Sequence, residues 1–232
     1  MAEPPNVCAG PFGAAYDAYI EREWISRPIG RLIWGIDTAP FYASFQAIRE
    51  AQPGGTILDV PCGGGVALRA LAPDQDVRSV AADLAEAMLA RVRRRVAKRG
   101  LRQVEVVAAD MCALPFESDM ADLCLSYSGL HCVTDPERAV HETVRCLKPG
   151  GRLVGTTLLA GGTRRQRFLF ELGRRRGHPM PAFGADELRG WLSDAGIEAP
   201  DVESDSGFVL FGGYKPGRPA GGPAGGGEGD GT

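Results

Sequence analysis

The sequence predicts an α/β fold: a doubly wound, mostly parallel sheet that ends in a C-terminal antiparallel hairpin, preceded by a helical N-terminal cover. Three observations predict it. From about residue 55, short apolar strands alternate with helical segments, the pattern of a parallel sheet covered on both faces. The first strand, "TILDV", runs into a proline–cysteine–triple-glycine turn. The last two strand-like segments, "IEAPDVESD" and "GFVLFGGYK", are about two residues apart, too few for a helical crossover, so they should pair antiparallel.

The elements follow in order. Residues 1–53 read as helical, with aromatic side chains at Tyr16, Tyr19, Trp24, Trp34, Phe41, Tyr42 and Phe45. "GTILDVP" is a strand, "GGVALRALA" a helix, "DVRSVAAD" a strand and "AEAMLARVRRRVAKRG" a long helix. In that helix Met88, Val92 and Val96 form an i, i+4 apolar stripe, which leaves its arginines on a solvated face. "QVEVVAAD" and "MADLCLSYS" are strands, "PERAVHETVRCL" a helix, and "KPGGRLVGTTLLA" a turn and strand. Residues 161–180 form an arginine-rich helical insertion, followed by the helix "ADELRGWLSDAG" and the hairpin. The binding core thus spans 54–215. Residues 216–232 hold eight glycines and three prolines and should be disordered.

Composition narrows the function. At 232 residues the chain suits one domain with decorations. A net charge of −3 provides no general field for nucleic acid, so no nucleic-acid partner is expected. No apolar run reaches the ~20 residues of a membrane span, and the N-terminus lacks a secretory pattern. A cytoplasmic protein that does not insert into membranes, monomeric or homodimeric, is therefore expected. The six cysteines lack CxxC pairing and read as free core thiols, and no metal site is expected.

The turn "DVPCGGG" places Asp59, Pro61, Cys62, Gly63 and Gly65 at the end of the first strand. A nucleoside-triphosphate loop needs Lys-Ser/Thr next, whereas Val66 and Ala67 follow. A dinucleotide fingerprint needs a third glycine where Leu68 stands. Asp83, eighteen residues past Gly65 at the end of the second strand, is placed to accept ribose hydroxyls. A nucleoside ligand is indicated. Read as plain structure, Asp83 and Asp110 would each end a strand or cap the next helix.

At these residues the sequence resembles the seven-stranded S-adenosylmethionine-dependent methyltransferases (class I, type 11 or UbiE-like), whose fold is Rossmann-like. "ILDVPCGGG" resembles the first motif, "VAADLAEAML" the second, "VVAADMCALPFESDMADLCLS" the third and fourth strands, and "LKPGGRLV" the turn into strand five. Pro61 stands where the family usually has glycine, and Gly64 where Thr or Ser is common. The resemblance implies S-adenosyl-L-methionine as cofactor. Asp59, Pro61, Cys62, Gly63 and Gly65 would lie at its methionine end. Asp83 would take the ribose, and Leu84 and Met88 the adenine. Asp110, Met111 and Cys112 would hold the adenine edge, with Ser126 nearby.

The segment "SYSGLHCVTDP" should face the methyl group, and it is not the (N/D)-P-P-(Y/F) motif of base N-methylation. His131 is the candidate general base, since an unperturbed histidine titrates near 6.5. Tyr16, with Tyr19 on the same helical face, is a second catalytic candidate. The arginines of "TRRQRFLFELGRRRG" suggest an anionic small-molecule acceptor. Methylation at oxygen or carbon of a small molecule is the expected reaction. The alternatives are an RNA or protein methyltransferase, or a non-catalytic nucleoside-binding module.

Overall fold

The computed structural model describes residues 19–160, 162–175, 182–205 and 207–217. Tyr16, His178 and the glycine-rich segment from residue 218 on lie outside the described residues. Before the sheet come α1 (Glu23–Ile29), a π-helical turn (Gly30–Trp34), α2 (Ala39–Ser44) and α3 (Gln46–Arg49). The strands are β1 (Gly55–Asp59), β2 (Val77–Asp83), β3 (Val104–Ala108), β4 (Ala121–Tyr127), β5 (Leu147–Leu158), β6 (Glu198–Asp205) and β7 (Phe208–Tyr214). Between them lie α4 (Glu86–Arg99), α5 (Pro136–Cys146), α6 (Arg164–Arg175) and α7 (Ala185–Asp194).

The strands form one seven-stranded sheet in the order β3-β2-β1-β4-β5-β7-β6. The first five run parallel, and β7 pairs antiparallel with both β5 and β6, as the two-residue connection requires. β1 and β4 are neighbours, with Ile57 opposite Leu123. From β1 the chain winds outward through β2 and β3, then returns to start the other half at β4. That reversal leaves a crevice beyond the C-terminal ends of β1 and β4, where open α/β sheets bind ligands.

Alternating residues on each strand feed two cores. Leu58, Val80 and Cys124 face one layer with Val140, Val144, Leu188 and Leu192 of α5 and α7. Ile57, Ala81 and Leu125 face the other with Leu89 and Val92 of α4 and Phe41, Phe45 and Ile48 of the N-terminal helices. The helices are bounded as their sequences direct. Pro136 opens α5 behind Asp135, whose carboxylate accepts the Arg138 N–H at 3.0 Å. Gly100 ends α4 in the left-handed conformation at φ 66°.

One expected helix is absent. "GGVALRALA" forms only a 3₁₀ turn, Ala67–Ala70, and Leu71 is already extended. Pro73 follows within a few residues, and Leu68 and Leu71 are pulled into the core at once, so a longer helix has no room. The glycine turn therefore lacks a helix dipole behind it.

Candidate active site

Asp59 ends β1 in the crevice. It is buried, and neither carboxylate oxygen has a hydrogen-bond partner among the described residues. Burial, followed by the nearby Asp83 charge, lifts its pKa to about 8. An unpaired buried carboxyl is costly unless a cation meets it.

Asp83 ends β2 and braces the site. Its Oδ2 accepts the Gly63 N–H at 2.9 Å and its Oδ1 the Ala85 N–H at 2.8 Å. It thus spans from the glycine turn to the N-terminus of α4, the plain structural role of a strand-ending, helix-capping aspartate. Asp110 behaves similarly: its Oδ1 accepts the Cys112 N–H at 2.8 Å, and its side chain is exposed.

The glycine turn itself is tightly held. Gly63 and Gly65 have φ of 51° and 78°, and Val60–Pro61 is cis. The Gly65 N–H donates to the Cys62 carbonyl at 2.9 Å, and the Cys62 N–H to that of Ala82 at 2.8 Å. The amides of Gly63 and Gly65, expected to bind a ligand carboxylate, are thus used inside the protein. The turn is too short, and too close to Asp83, to leave them free. A Cβ on Gly63 would stand in open space, whereas one on Gly65 would press Leu68 and Val92 at 3.2 Å. Pro61 packs on the loop after β4: a Cβ on Gly129 would lie 2.2 Å from its Cδ.

Two adjoining pockets open here. One, of about 430 Å³ including its mouth, is lined by Asp59, Cys62, Gly63, Gly64 and Val66 of the turn, together with Tyr127. The other, of about 610 Å³ including its mouth, is walled by Tyr19, Ile36, Thr38, His131, Leu158 and Phe208. Ile20, Phe41 and Ser128 belong to both walls. The larger chamber is mainly apolar, and the N-terminal segment closes one side of it.

That segment is pinned by aromatic and hydroxyl contacts. Phe41 and Phe45 meet Tyr127 edge-on, each with centroids 5.3 Å apart. The Tyr127 hydroxyl lies 3.0 Å from Ser44 Oγ, and burial raises its pKa. The Tyr42 hydroxyl donates to the Ile20 carbonyl at 2.7 Å and lies 2.5 Å from Ser26 Oγ. The sequence marked these aromatics as a cover, but not Ile36, Thr38, Leu158 and Phe208 as pocket wall, because only the tertiary fold brings β7 beside the N-terminal helices.

Other expected residues are placed as follows. Leu84 is 71 % exposed beside Asp83. Met88 and Met111 are buried, and Cys112 is half-buried. Ser126 is buried, and its hydroxyl has no hydrogen-bond partner among the described residues. His131 lines the larger pocket, but its geometry departs from that of an available base. Its Nδ1 lies 3.3 Å from the Leu158 N–H and 3.1 Å from Thr157 Oγ1. Desolvation lowers its pKa to about 4.

Among the described residues no arginine lines either pocket. In α6, Arg174 and Arg175 pair with Glu171, and Arg167 donates to the Gly162 carbonyl at 3.0 Å. No described helix is long and apolar enough to cross a membrane.

Residues 58–155 match the family described as methyltransferase domain. A demethylmenaquinone methyltransferase of Clavibacter sepedonicus is 44% identical over 101 residues, which are 44% of this chain and 40% of that protein. An uncharacterized chloroplastic methyltransferase of Arabidopsis thaliana is 28% identical over 181 residues, covering 76% of this chain and 51% of that protein. The chain thus spans about half or less of the length of these curated relatives. Among solved structures, a putative S-adenosyl-L-methionine-dependent methyltransferase from Methanococcus maripaludis superposes with a TM-score of 0.62 at 21% identity, covering 95% of this chain and 99% of that one. A Haemonchus contortus phosphoethanolamine N-methyltransferase, solved with S-adenosyl-L-methionine, superposes with a TM-score of 0.65 at 18% identity, covering 77% and 53%. With its strand order, its acid-tipped strands and these relatives in agreement, the chain carries a methyltransferase domain of the seven-stranded, S-adenosylmethionine-dependent class.

Proposed function

We propose that this chain transfers a methyl group from S-adenosylmethionine to a small, largely apolar acceptor, at carbon or oxygen. The observation that carries this reading is the pair of pockets with common walls. One is walled by the glycine turn and ends on Asp59, unpartnered among the described residues; the other is mainly apolar and lies beside the N-terminal helices. In this reading residues 54–215 are the binding core and the helices before β1 its cover.

The residues fit the cofactor. Asp59 meets the methionine ammonium, which supplies the cation its carboxylate lacks. Gly63, with Pro61, Cys62 and Gly65 shaping the bend, leaves open space beside it. Asp83, at the end of β2 beside the glycine turn, receives the ribose hydroxyls, and exposed Leu84 offers the adenine an apolar face. Asp110 offers its second oxygen to the adenine amino group, with Met111 and Cys112 on that edge and Met88 and Ser126 behind the wall. When bound, S-adenosylmethionine supplies an activated methyl for in-line displacement, so the protein's task is alignment and the exclusion of water.

The apolar chamber favours an uncharged ring or chain over the anionic acceptor that the arginine-rich segment suggested. Relatives that are demethylmenaquinone methyltransferases support a quinol-like acceptor. The thiols of Cys62, Cys112, Cys124 and Cys146, unbridged among the described residues, support a reducing compartment, the cytoplasm.

The test is transfer of a labelled methyl from S-adenosylmethionine to a short-tailed demethylmenaquinol and to fractionated metabolite extract, with the product identified by mass. Methylation of an apolar acceptor supports the reading. Tight S-adenosylhomocysteine binding with no transfer to any fraction would favour a nucleoside-binding module. Transfer confined to RNA or protein fractions would move the acceptor to a macromolecule.

A further inference from the structure

We propose that His131 is a fixed hydrogen-bond donor to the acceptor through Nε2–H, and that it selects acceptors presenting an oxygen lone pair. The inference rests on the methyl-transfer reading for its ligand and on strand geometry for its chemistry.

The geometry begins with a gap in the sheet. β4 ends at Tyr127, which pairs with Thr156, and Ser128 makes the last rung by donating its N–H to the Thr156 carbonyl at 2.7 Å. β5 continues to Leu158, beyond the end of its parallel neighbour. On its other edge, the Leu159 N–H donates to the Gly207 carbonyl at 2.8 Å. Successive strand amides point to opposite edges, so the Leu158 N–H faces the side that β4 has vacated. His131, in the 3₁₀ turn Leu130–Cys132 after β4, puts Nδ1 there, 3.3 Å from that N–H. The imidazole replaces the missing strand carbonyl.

A nitrogen that accepts from a backbone amide cannot carry a proton of its own. A proton on Nδ1 would set two donors against each other and leave the Leu158 N–H without an acceptor. The Thr157 hydroxyl, 3.1 Å from Nδ1 and 3.3 Å from the Leu158 carbonyl, can donate to either. The neutral ring therefore holds its proton on Nε2. Enclosure by protein keeps the doubly protonated ring unfavourable. Nε2 makes no hydrogen bond to any described residue, and the ring is part of the apolar pocket's wall, with Thr38 and Ser128 among its few polar neighbours.

The chemical consequence is selective. The basic lone pair sits on Nδ1, against the sheet, so the ring takes no proton from the acceptor. The proton that an acceptor loses on methylation passes to water, and His131 keeps its own throughout. A quinol oxygen or carbonyl can accept from Nε2–H, while a protonated amine faces donor against donor. Acceptors that present a neutral quinol, carbonyl or conjugated enol oxygen are favoured.

Two measurements decide it. Long-range proton–nitrogen correlation spectra of ¹⁵N-histidine protein, with the His131 signals assigned by their loss in His131→Gln, should show pyrrole-type Nε2 and pyridine-type Nδ1 at pH 7. A proton on Nδ1, or a charged ring, overturns the proposal, and this reading needs no substrate. The second compares His131→Gln, which sets an amide nitrogen near the Nε2 position, with His131→Asn, which retains an acceptor for the Leu158 N–H but no donor in the pocket. With the short-tailed demethylmenaquinol as probe, the Gln variant should stay within about threefold of wild-type kcat/KM. The Asn variant should fall about tenfold, the loss of one hydrogen bond. A Gln variant as inactive as the Asn variant, or a wild-type rate governed by a histidine-like titration, points to a base and overturns the proposal. A wild-type protein inert to every acceptor would count against methyl transfer instead, with the tautomer still read from the spectra.

Discussion

Pro61 and Gly129 interlock: the proline ring occupies the space that a Cβ on Gly129 would need, 2.2 Å from its Cδ. The contact joins the glycine turn after β1 to the loop after β4, across the crevice where the strand order reverses. Gly129→Ala should therefore displace the Pro61 turn, at a cost of about 1–3 kcal/mol from overpacking. S-adenosylhomocysteine affinity should fall with it. Gly190→Ala in α7, where a new Cβ meets nothing within 4 Å, should be neutral or stabilise by up to about 1 kcal/mol. Urea unfolding and calorimetric titration of both variants measure the contrast.

Asp59 should make both stability and cofactor binding respond to pH. Its folded value, about 8, lies above the ordinary 3.8, so the folded state holds the proton more tightly than the unfolded chain does. Its contribution to stability is complete below about pH 4 and is lost as the pH rises toward 8. Asp59→Asn, which cannot ionise, should raise the unfolding midpoint of the ligand-free protein more at pH 8 than at pH 5. It should also weaken S-adenosylhomocysteine binding about tenfold or more, since the ammonium loses its counter-charge. In the wild type at pH 7, docking the ammonium should expel the Asp59 proton, giving calorimetric heats that vary with the ionisation enthalpy of the buffer. Heats that do not vary would mean Asp59 is already ionised.

Asp83 serves the fold through both oxygens, and in the proposed reading it also serves the ligand. Asp83→Ala strips acceptors from the Gly63 and Ala85 amides and should cost about 2–4 kcal/mol of stability. Asp83→Asn keeps one acceptor oxygen and should recover part of that stability, while S-adenosylhomocysteine affinity stays well below wild type. Denaturant unfolding beside calorimetry separates the two effects. Equal S-adenosylhomocysteine binding in all three proteins would remove Asp83 from the ribose site.

The α6 arginines should not govern acceptor binding. Arg167 is tied to the Gly162 carbonyl, and Arg164 is exposed. Charge reversal of Arg164 and Arg167 should leave the acceptor KM within about twofold at low and high salt, because screened surface charges contribute little. A KM that rises in the variants and loses its salt dependence would restore an anionic acceptor.

The strands, the mostly parallel sheet with its terminal hairpin, and the acids at the strand ends were legible because they follow from local pattern. Apolar runs such as "VRSVAAD" are buried on both faces, and the short link before Phe208 permits only antiparallel pairing. The helix expected at "GGVALRALA" failed because apolar spacing cannot reveal that Leu68 and Leu71 are drawn into the core within one turn. The use of the Gly63 amide was hidden as well, since it depends on Asp83 reaching across from another strand. His131 stood out in the sequence by its position after β4, and it lines the larger pocket. Its chemistry was not readable, because the missing rung beside Leu158 exists only once β5 outruns β4.

The partition formed by Ile20, Phe41 and Ser128 has a practical consequence for redesign. If the donor and acceptor occupy the two chambers as proposed, a replacement at these three residues intended to widen acceptor scope should also disturb retention of the methyl donor. Ile36, Thr38, Leu158 and Phe208 line only the larger chamber, so a library confined to them should broaden the range of compounds accepted while sparing the donor.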